Sequence, residues 1–118
     1  MLIYVKRAYE EPSENDGHRI LVDRVWPRGV TSQSMQLDAW VRELAPSTEL
    51  RKWFAHDPKK WKQFRRRYFE ELDGCPEEVH RLLEMLATGR VTLVYSARND
   101  KFNNAIALKE YLENRMGR

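Results

Sequence analysis

The sequence predicts an α/β fold: a single small domain over residues 1–118, with a short, mostly parallel sheet packed against about four helices. Three observations predict it. Short apolar, β-branched runs alternate with helical periodicity in the order strand, strand, several helices, strand, helix. A length of 118 residues suits one core, because two would each fall below a workable size. Four Trp, five Tyr and four Phe supply the apolar area that disordered chains lack.

The first strand is read at Leu2–Lys6. The stretch AYEEPSENDGH follows, with Pro12, Ser13, Asn15, Asp16 and Gly17 marking a turn-rich loop. Arg19–Arg24 (RILVDR) and Val91–Tyr95 (VTLVY) hold continuous apolar centres, which predicts strands covered on both faces. Ser47 with Glu49 starts a short helix through Phe54. Asp57 before Pro58 is an N-cap with proline at the first helical position; that helix runs to about Asp73, where Gly74 can close it. Pro76 opens the next helix, Glu77 and Glu78 favour its dipole, and Gly89 lies just past its end. Val79, Leu82, Leu83 and Leu86 form its apolar stripe. A final helix spans about Asn103 to Arg115 and buries Ala105, Leu108, Leu112 and Met116.

Several function classes fall away. No window approaches the apolar length of a membrane span and Met1 leads straight into a strand, so a cytoplasmic protein with no membrane partner is expected. The sole cysteine, Cys75, excludes an internal disulfide and a Cys-rich zinc module, although a helix start could lower its pKa. His18, His56 and His80 are too widely spaced for a metal motif, so no metal is expected. GxSxG, Walker-A and GxGxxG signatures are absent, and no cofactor is expected.

The net charge of +3 is unevenly spread. Arg51 to Arg67 holds eight Lys or Arg residues against one acid, Asp57. Such a block invites a nucleic-acid reading. With Trp61 as origin and about 100° per residue, Phe64, Tyr68, Leu72 and Phe69 share one arc, while Lys59, Lys62, Arg66 and Arg67 fall outside it. Most of this charge is therefore a solvated outer face. Arg65 is the anomaly, inside the apolar arc, where a guanidinium must snorkel, pair with a carboxylate or meet a ligand anion.

Ligands gather beyond the carboxyl ends of strands in α/β sheets. The second strand runs into DRVWPRG, where Pro27 stiffens the loop and Gly29 permits a turn, so Arg24 and Arg28 stand on a rigid support. The third runs into YSARND, placing Ser96, Arg98, Asn99 and Asp100 just before the last helix. Arg98 beside a helix N-terminus makes a stronger anion site than either alone. His56, beside the Asp57 cap, is a residue type that titrates near neutral pH and can serve as acid or base.

The strings DGHRILVDRVWPRGV, LDAWVRELAPS, ELRKWFAHDPKKWKQFRRRY and VTLVYSARN together resemble the YeaO-like family of small bacterial proteins, from about Ile3 to Leu112. The resemblance implies a compact α/β cytosolic domain with no established reaction. It places the family's polar positions at Asp23, Arg24, Arg28, His56, Asp57, Arg67, Tyr68 and the loop beginning at Ser96. This chain departs in that loop: Asn99 and Phe102-Asn103 stand where the family reads an Asp and then a His-Asn pair. Ser32-Gln33 likewise replaces a common Lys-Glu pair. Phe102 removes the family's His from any acid–base role here, while Asn103 keeps a binding role open.

The leading expectation is a pocket for a small anionic metabolite at the carboxyl edge of the sheet. Arg24, Arg28 and Arg98 would bind a phosphate or carboxylate, with Arg65, Tyr68, Ser96 and Asn103 as further ligand-binding residues. If chemistry occurs there, His56 and Asp23 are the candidate catalytic residues, for group transfer or hydrolysis rather than redox. One alternative is a nucleic-acid or regulatory module using the outer face of Lys59, Lys62, Arg66 and Arg67. Another is a protein-interaction module or homo-oligomer, for which an exposed Trp40, Trp53 or Trp61 would be the sign.

Overall fold

The apolar runs meet in one parallel sheet. In the computed structural model, which describes residues 3–117, the strands are β1 (Ile3–Arg7), β2 (His18–Leu21), β3 (Ala39–Trp40) and β4 (Val91–Tyr95). They lie in the order β1-β4-β2-β3, and every pairing is parallel. β4 is central and buried at all five positions, as its unbroken VTLVY predicts. Ile3 lies opposite Val91, Arg7 opposite Tyr95 and Leu21 opposite Val94, so all these strands end on the same edge.

The helices are α1 (Ser32–Met35), α2 (Thr48–Phe54), α3 (Trp61–Asp73), α4 (Pro76–Thr88) and α5 (Asn104–Met116). The last four cover one face. Leu50 and Phe54 of α2, Phe64, Tyr68 and Leu72 of α3, Val79, Leu82 and Leu86 of α4, and Leu108 and Leu112 of α5 pack on Ile3, Ile20, Val91 and Leu93. The opposite face carries a smaller core of Ala8, Leu21, Met35 and Val94, backed by Trp26, Val30, Leu37 and Trp40. Alternate residues of one strand thus feed two cores, which is why no polar residue interrupts ILV.

Local signals explain most boundaries. Ser47, Asp57 and Asn103 accept backbone N–H groups at the starts of their helices, from Leu50, Lys59 and Ile106. The helix predicted from Pro58 first makes a 3₁₀ turn, Pro58–Lys60, and becomes α-helical at Trp61. Met116, placed in the core by the helical stripe, is only partly buried.

The second strand differs from expectation. It leaves the ladder after Leu21 rather than running to Arg24. Val22 N–H still reaches Val94 O at 3.0 Å, but at the next position the Asp23 carboxylate accepts Ser96 N–H at 2.9 Å. A side chain thus replaces the backbone rung and peels the strands apart at the carboxyl edge. β3 and α1 carry no periodic sequence signal: β3 has two residues, and α1 is one turn capped by Thr31 and ended by left-handed Gln36 (φ 48°). One glycine is dictated by space. Gly17 has φ 67°, and a Cβ there would lie 2.2 Å from Arg90 O.

Among the described residues no helix is long and apolar enough to cross a membrane, and no group of three or more His, Cys, Asp or Glu could hold a metal ion. No tryptophan is fully exposed; Trp53 and Trp61 pack on the main core and Trp26 and Trp40 on the smaller one. The interaction-module alternative loses its expected sign.

Candidate functional site

Where β2 and β4 peel apart, the carboxyl edge opens into a cleft of about 1100 Å³. Four segments wall it: Arg7 at the end of β1 with Tyr9 beyond it, Asp23–Arg28 after β2, Ser96–Asn99 after β4, and Asn103 with Asn104 at the start of α5. Thr48, Arg51, Lys52, Phe54 and His56 close it from α2 and the turn beyond, and Phe64 comes from α3.

Six cations line the cleft: Arg7, Arg24, Arg28, Arg51, Lys52 and Arg98. Asp23 is the single carboxylate in the lining. The ion pairs among the described residues are Lys6–Asp16, Arg19–Asp16 and Arg65–Glu110, with His80 beside Glu84, so none of the six cations is paired with an acid. Two of them are held by backbone instead. Arg7 donates from Nε to Ala97 O (2.9 Å) and from Nη2 to Ser96 O (3.4 Å). Arg24 donates from Nε to Pro46 O and from Nη2 to Ala45 O, both at 3.2 Å. Arg28 and Arg98 are exposed side chains on the two loops.

Asp23 organises the edge. Its Oδ2 accepts both Ser96 N–H (2.9 Å) and Ser96 Oγ–H (2.6 Å), and its Oδ1 accepts Asn104 Nδ2–H (3.0 Å). Its backbone carbonyl accepts Trp40 Nε1–H at 2.7 Å. The carboxylate therefore joins three elements and is in no ion pair with the arginines around it. Asn99 forms a turn by accepting Lys101 N–H and Phe102 N–H. Asn103, 2% exposed, donates to Asn99 O and accepts Ile106 N–H, so its amide is committed to capping α5 although it lines the cleft. Phe102 turns away from the lining onto the Trp61 ring, with centroids 5.3 Å apart.

His56 reaches the cleft from a strained corner. Ala55 (φ 47°) and His56 (φ 58°) are consecutive left-handed residues, a conformation that costs non-glycine residues about 1–2 kcal/mol each. The corner ends α2 and turns the chain into the Asp57 cap.

Two expected ligand-binding residues are placed elsewhere. Arg65 pairs with Glu110 of α5 and lies over the Phe69 ring, outside the cleft lining. The helix wheel located it correctly in the apolar arc, and the second helix packed there supplied the carboxylate. Tyr68 is fully buried and donates its hydroxyl to Leu44 O; burial, with Asp23 and Glu71 nearby, pushes its pKa well up. It is a core residue. Cys75 is likewise pushed up, by burial and then by Glu78, Glu71 and Glu43, so the helix start does not activate it.

Sequence reasoning missed Arg7, Arg51 and Lys52. Arg7 is the last residue of a strand read as ending at Lys6. Thr48, Arg51 and Lys52 share one face of α2 at i, i+3 and i+4, so two of the eight cations in the basic block face this cleft. The signal was present in the α2 periodicity. Lys59, Lys62, Arg66 and Arg67 are exposed as predicted, with the Arg67 guanidinium 4.5 Å from the Trp53 ring centre.

Residues 2–118 match the family described as the inactive DUF488-N3 subclade. The chain belongs to that family. It is similar to the uncharacterized protein YeaO of Escherichia coli K12, 42% identical over 112 residues, which cover 95% of this chain and 97% of the relative. It is also similar to the uncharacterized proteins Rv3073c of Mycobacterium tuberculosis H37Rv and Mb3100c of Mycobacterium bovis, each 37% identical over 117 residues, covering 96% of this chain and 95% of the relative. No solved structure matches the chain. The YeaO-like resemblance seen in the motifs therefore holds across nearly the whole chain.

Proposed function

We propose that the protein binds a small, multiply anionic metabolite in the carboxyl-edge cleft, acting in the cytoplasm. The observation that carries this is the set of six cations around one cleft without a carboxylate partner. Like charges held together raise the energy of the empty site, and a concave wall focuses their field on whatever enters. An entering anion removes that repulsion. Two of the cations are also pre-oriented by backbone carbonyls, which lowers the ordering cost of binding.

The inactive label of the family supports binding rather than turnover as the use of the cleft. On this reading His56 orients the ligand, and Asp23 acts through Ser96 and Asn104, which it holds.

The test is calorimetric titration with inorganic pyrophosphate and citrate at low salt, with thermal unfolding alongside. The expected result is saturable binding, a rise in Tm with ligand concentration, and a weakening of both in an Arg28→Gln/Arg51→Gln/Arg98→Gln variant. Absence of binding at low salt overturns the proposal. Retention of a duplex DNA by that variant, lost instead in Lys62→Glu/Arg66→Glu, would favour the outer-face alternative.

A further inference from the structure

We infer that the cleft is shaped for a ligand carrying two separate oxyanion groups, one seated on Arg7 and the other on Arg24, joined by a neutral middle. This rests on the anion-binding reading of the same cleft and deepens it. Arg7 closes β1 and Arg24 follows β2, the two strands that flank β4.

Their guanidiniums are clamped alike. Each uses Nε and Nη2 on two consecutive backbone carbonyls, Ala97 and Ser96 for Arg7, Pro46 and Ala45 for Arg24. A guanidinium has five N–H donors. The clamp consumes two and leaves three, both on Nη1 and one on Nη2. That free end is a fork suited to bidentate contact with a carboxylate or phosphoryl group. Neutral carbonyls fix the direction of each fork without cancelling its charge. A lysine could supply the charge but not the fork, which explains why guanidiniums stand at both positions.

The two forks are anchored on different segments, Ser96–Ala97 after β4 for Arg7 and Ala45–Pro46 before α2 for Arg24. β4 separates the strands that lead into the two arginines, whose backbones lie about 10 Å apart within the sheet. The single carboxylate of the lining, Asp23, is held on Ser96 at the end of β4. A negative charge in the lining disfavours further anionic groups on the ligand. A continuous polyphosphate therefore fits less well than two terminal anions on an uncharged linker. Arg28 and Arg98 at the rim supply steering charge rather than fixed geometry.

The test titrates the full chain with straight-chain alkane bisphosphonates of increasing length, the matched monophosphonates, and dicarboxylates of the same lengths. The expected result is an affinity maximum at one intermediate length, tighter than the matched monophosphonate by about tenfold or more. Arg7→Lys and Arg24→Lys should each remove that advantage and leave monophosphonate binding in place. An optimum shared by the dicarboxylates assigns oxyanions in general, and one seen with bisphosphonates alone assigns phosphoryl groups. Monophosphonates binding as tightly as every bisphosphonate would overturn the two-anion inference while the anion-binding reading stands. No binding by any probe at low salt would overturn both. The length profile of the unmodified chain decides the matter even where a variant fails to fold.

Discussion

Two polar regions of this molecule treat positive charge in opposite ways. On the face of the sheet away from the large helices, Lys6 and Arg19 converge on Asp16, at 3.1 and 2.7 Å. Asp16 also accepts Ser13 N–H, its backbone carbonyl accepts Thr92 Oγ–H, and Arg19 Nε donates to Met35 O. At the carboxyl edge, six cations share a cleft with one carboxylate, and that carboxylate is bonded to Ser96 and Asn104. Burial explains the difference. Arg19 is 4% exposed, and a charge so placed needs a partner for the fold to form. The cleft cations reach water and can wait for a ligand. The first region is built for folding and the second is available for recognition.

The largest expected effect breaks the paired region. Asp16→Ala leaves Lys6 and Arg19 without a counter-charge, and stability should fall by about 3 kcal/mol in urea unfolding. A loss below about 1 kcal/mol would show that the cluster is not structural. A pair of glycines sharpens the contrast. Gly17→Ala, beside Asp16, meets Arg90 O and should cost about 2 kcal/mol or more. Gly29→Ala, in the cleft loop, has a similar φ of 79° but nothing within 4 Å, so only the backbone term of about 1 kcal/mol is expected. Equal losses at the two positions would erase the distinction.

Acid should act through the same cluster. Burial alone would raise the Asp16 pKa, but bonds from Ser13 N–H, Lys6 and Arg19 and the Lys6 charge bring it below its ordinary 3.8. As pH falls below about 3.8 the unfolded chain takes up a proton that the folded chain still refuses. The stabilisation is thus complete at neutral pH and is lost as pH falls from there through the folded-state value. Urea midpoints across this range should drop less steeply for Asp16→Asn than for the unmodified chain. Parallel slopes would exclude Asp16 as a source of the acid sensitivity.

The sequence carried what is local and lost what is tertiary. VTLVY bounded β4 to the residue, and Ser47, Asp57 and Asn103 marked helix starts, because a cap is decided within four residues. β2 was read too long because its end is set by Asp23 meeting Ser96, a contact between residues 73 apart. Strand-end reasoning reached Asp23, Arg24, Arg28, Ser96 and Arg98, all of which line the cleft. It missed Arg7 by one residue of strand. The helix wheel put Arg65 and Tyr68 in the apolar arc, but a wheel does not say what lies opposite, and Glu110 and Leu44 do. Charge density marks Arg51–Arg67 as one basic block in sequence, yet the turn at Ala55 and His56 splits it in space, leaving Arg51 and Lys52 on the cleft.

The smallest expected effect is the one that bears most on function. Arg98→Gln and Arg51→Gln remove charges that have no carboxylate partner, so each should change stability by no more than about 0.5 kcal/mol. Relief of repulsion makes a slight gain more consistent than a loss. The same substitutions should weaken pyrophosphate binding, and the loss should shrink as salt is added, because exposed charges are screened. Stability and binding would thus move independently, which is what a residue kept for recognition does. Should Arg98→Gln cost as much stability as Asp16→Ala, the cleft cations would be structural like Lys6 and Arg19, and the contrast between the two regions would collapse.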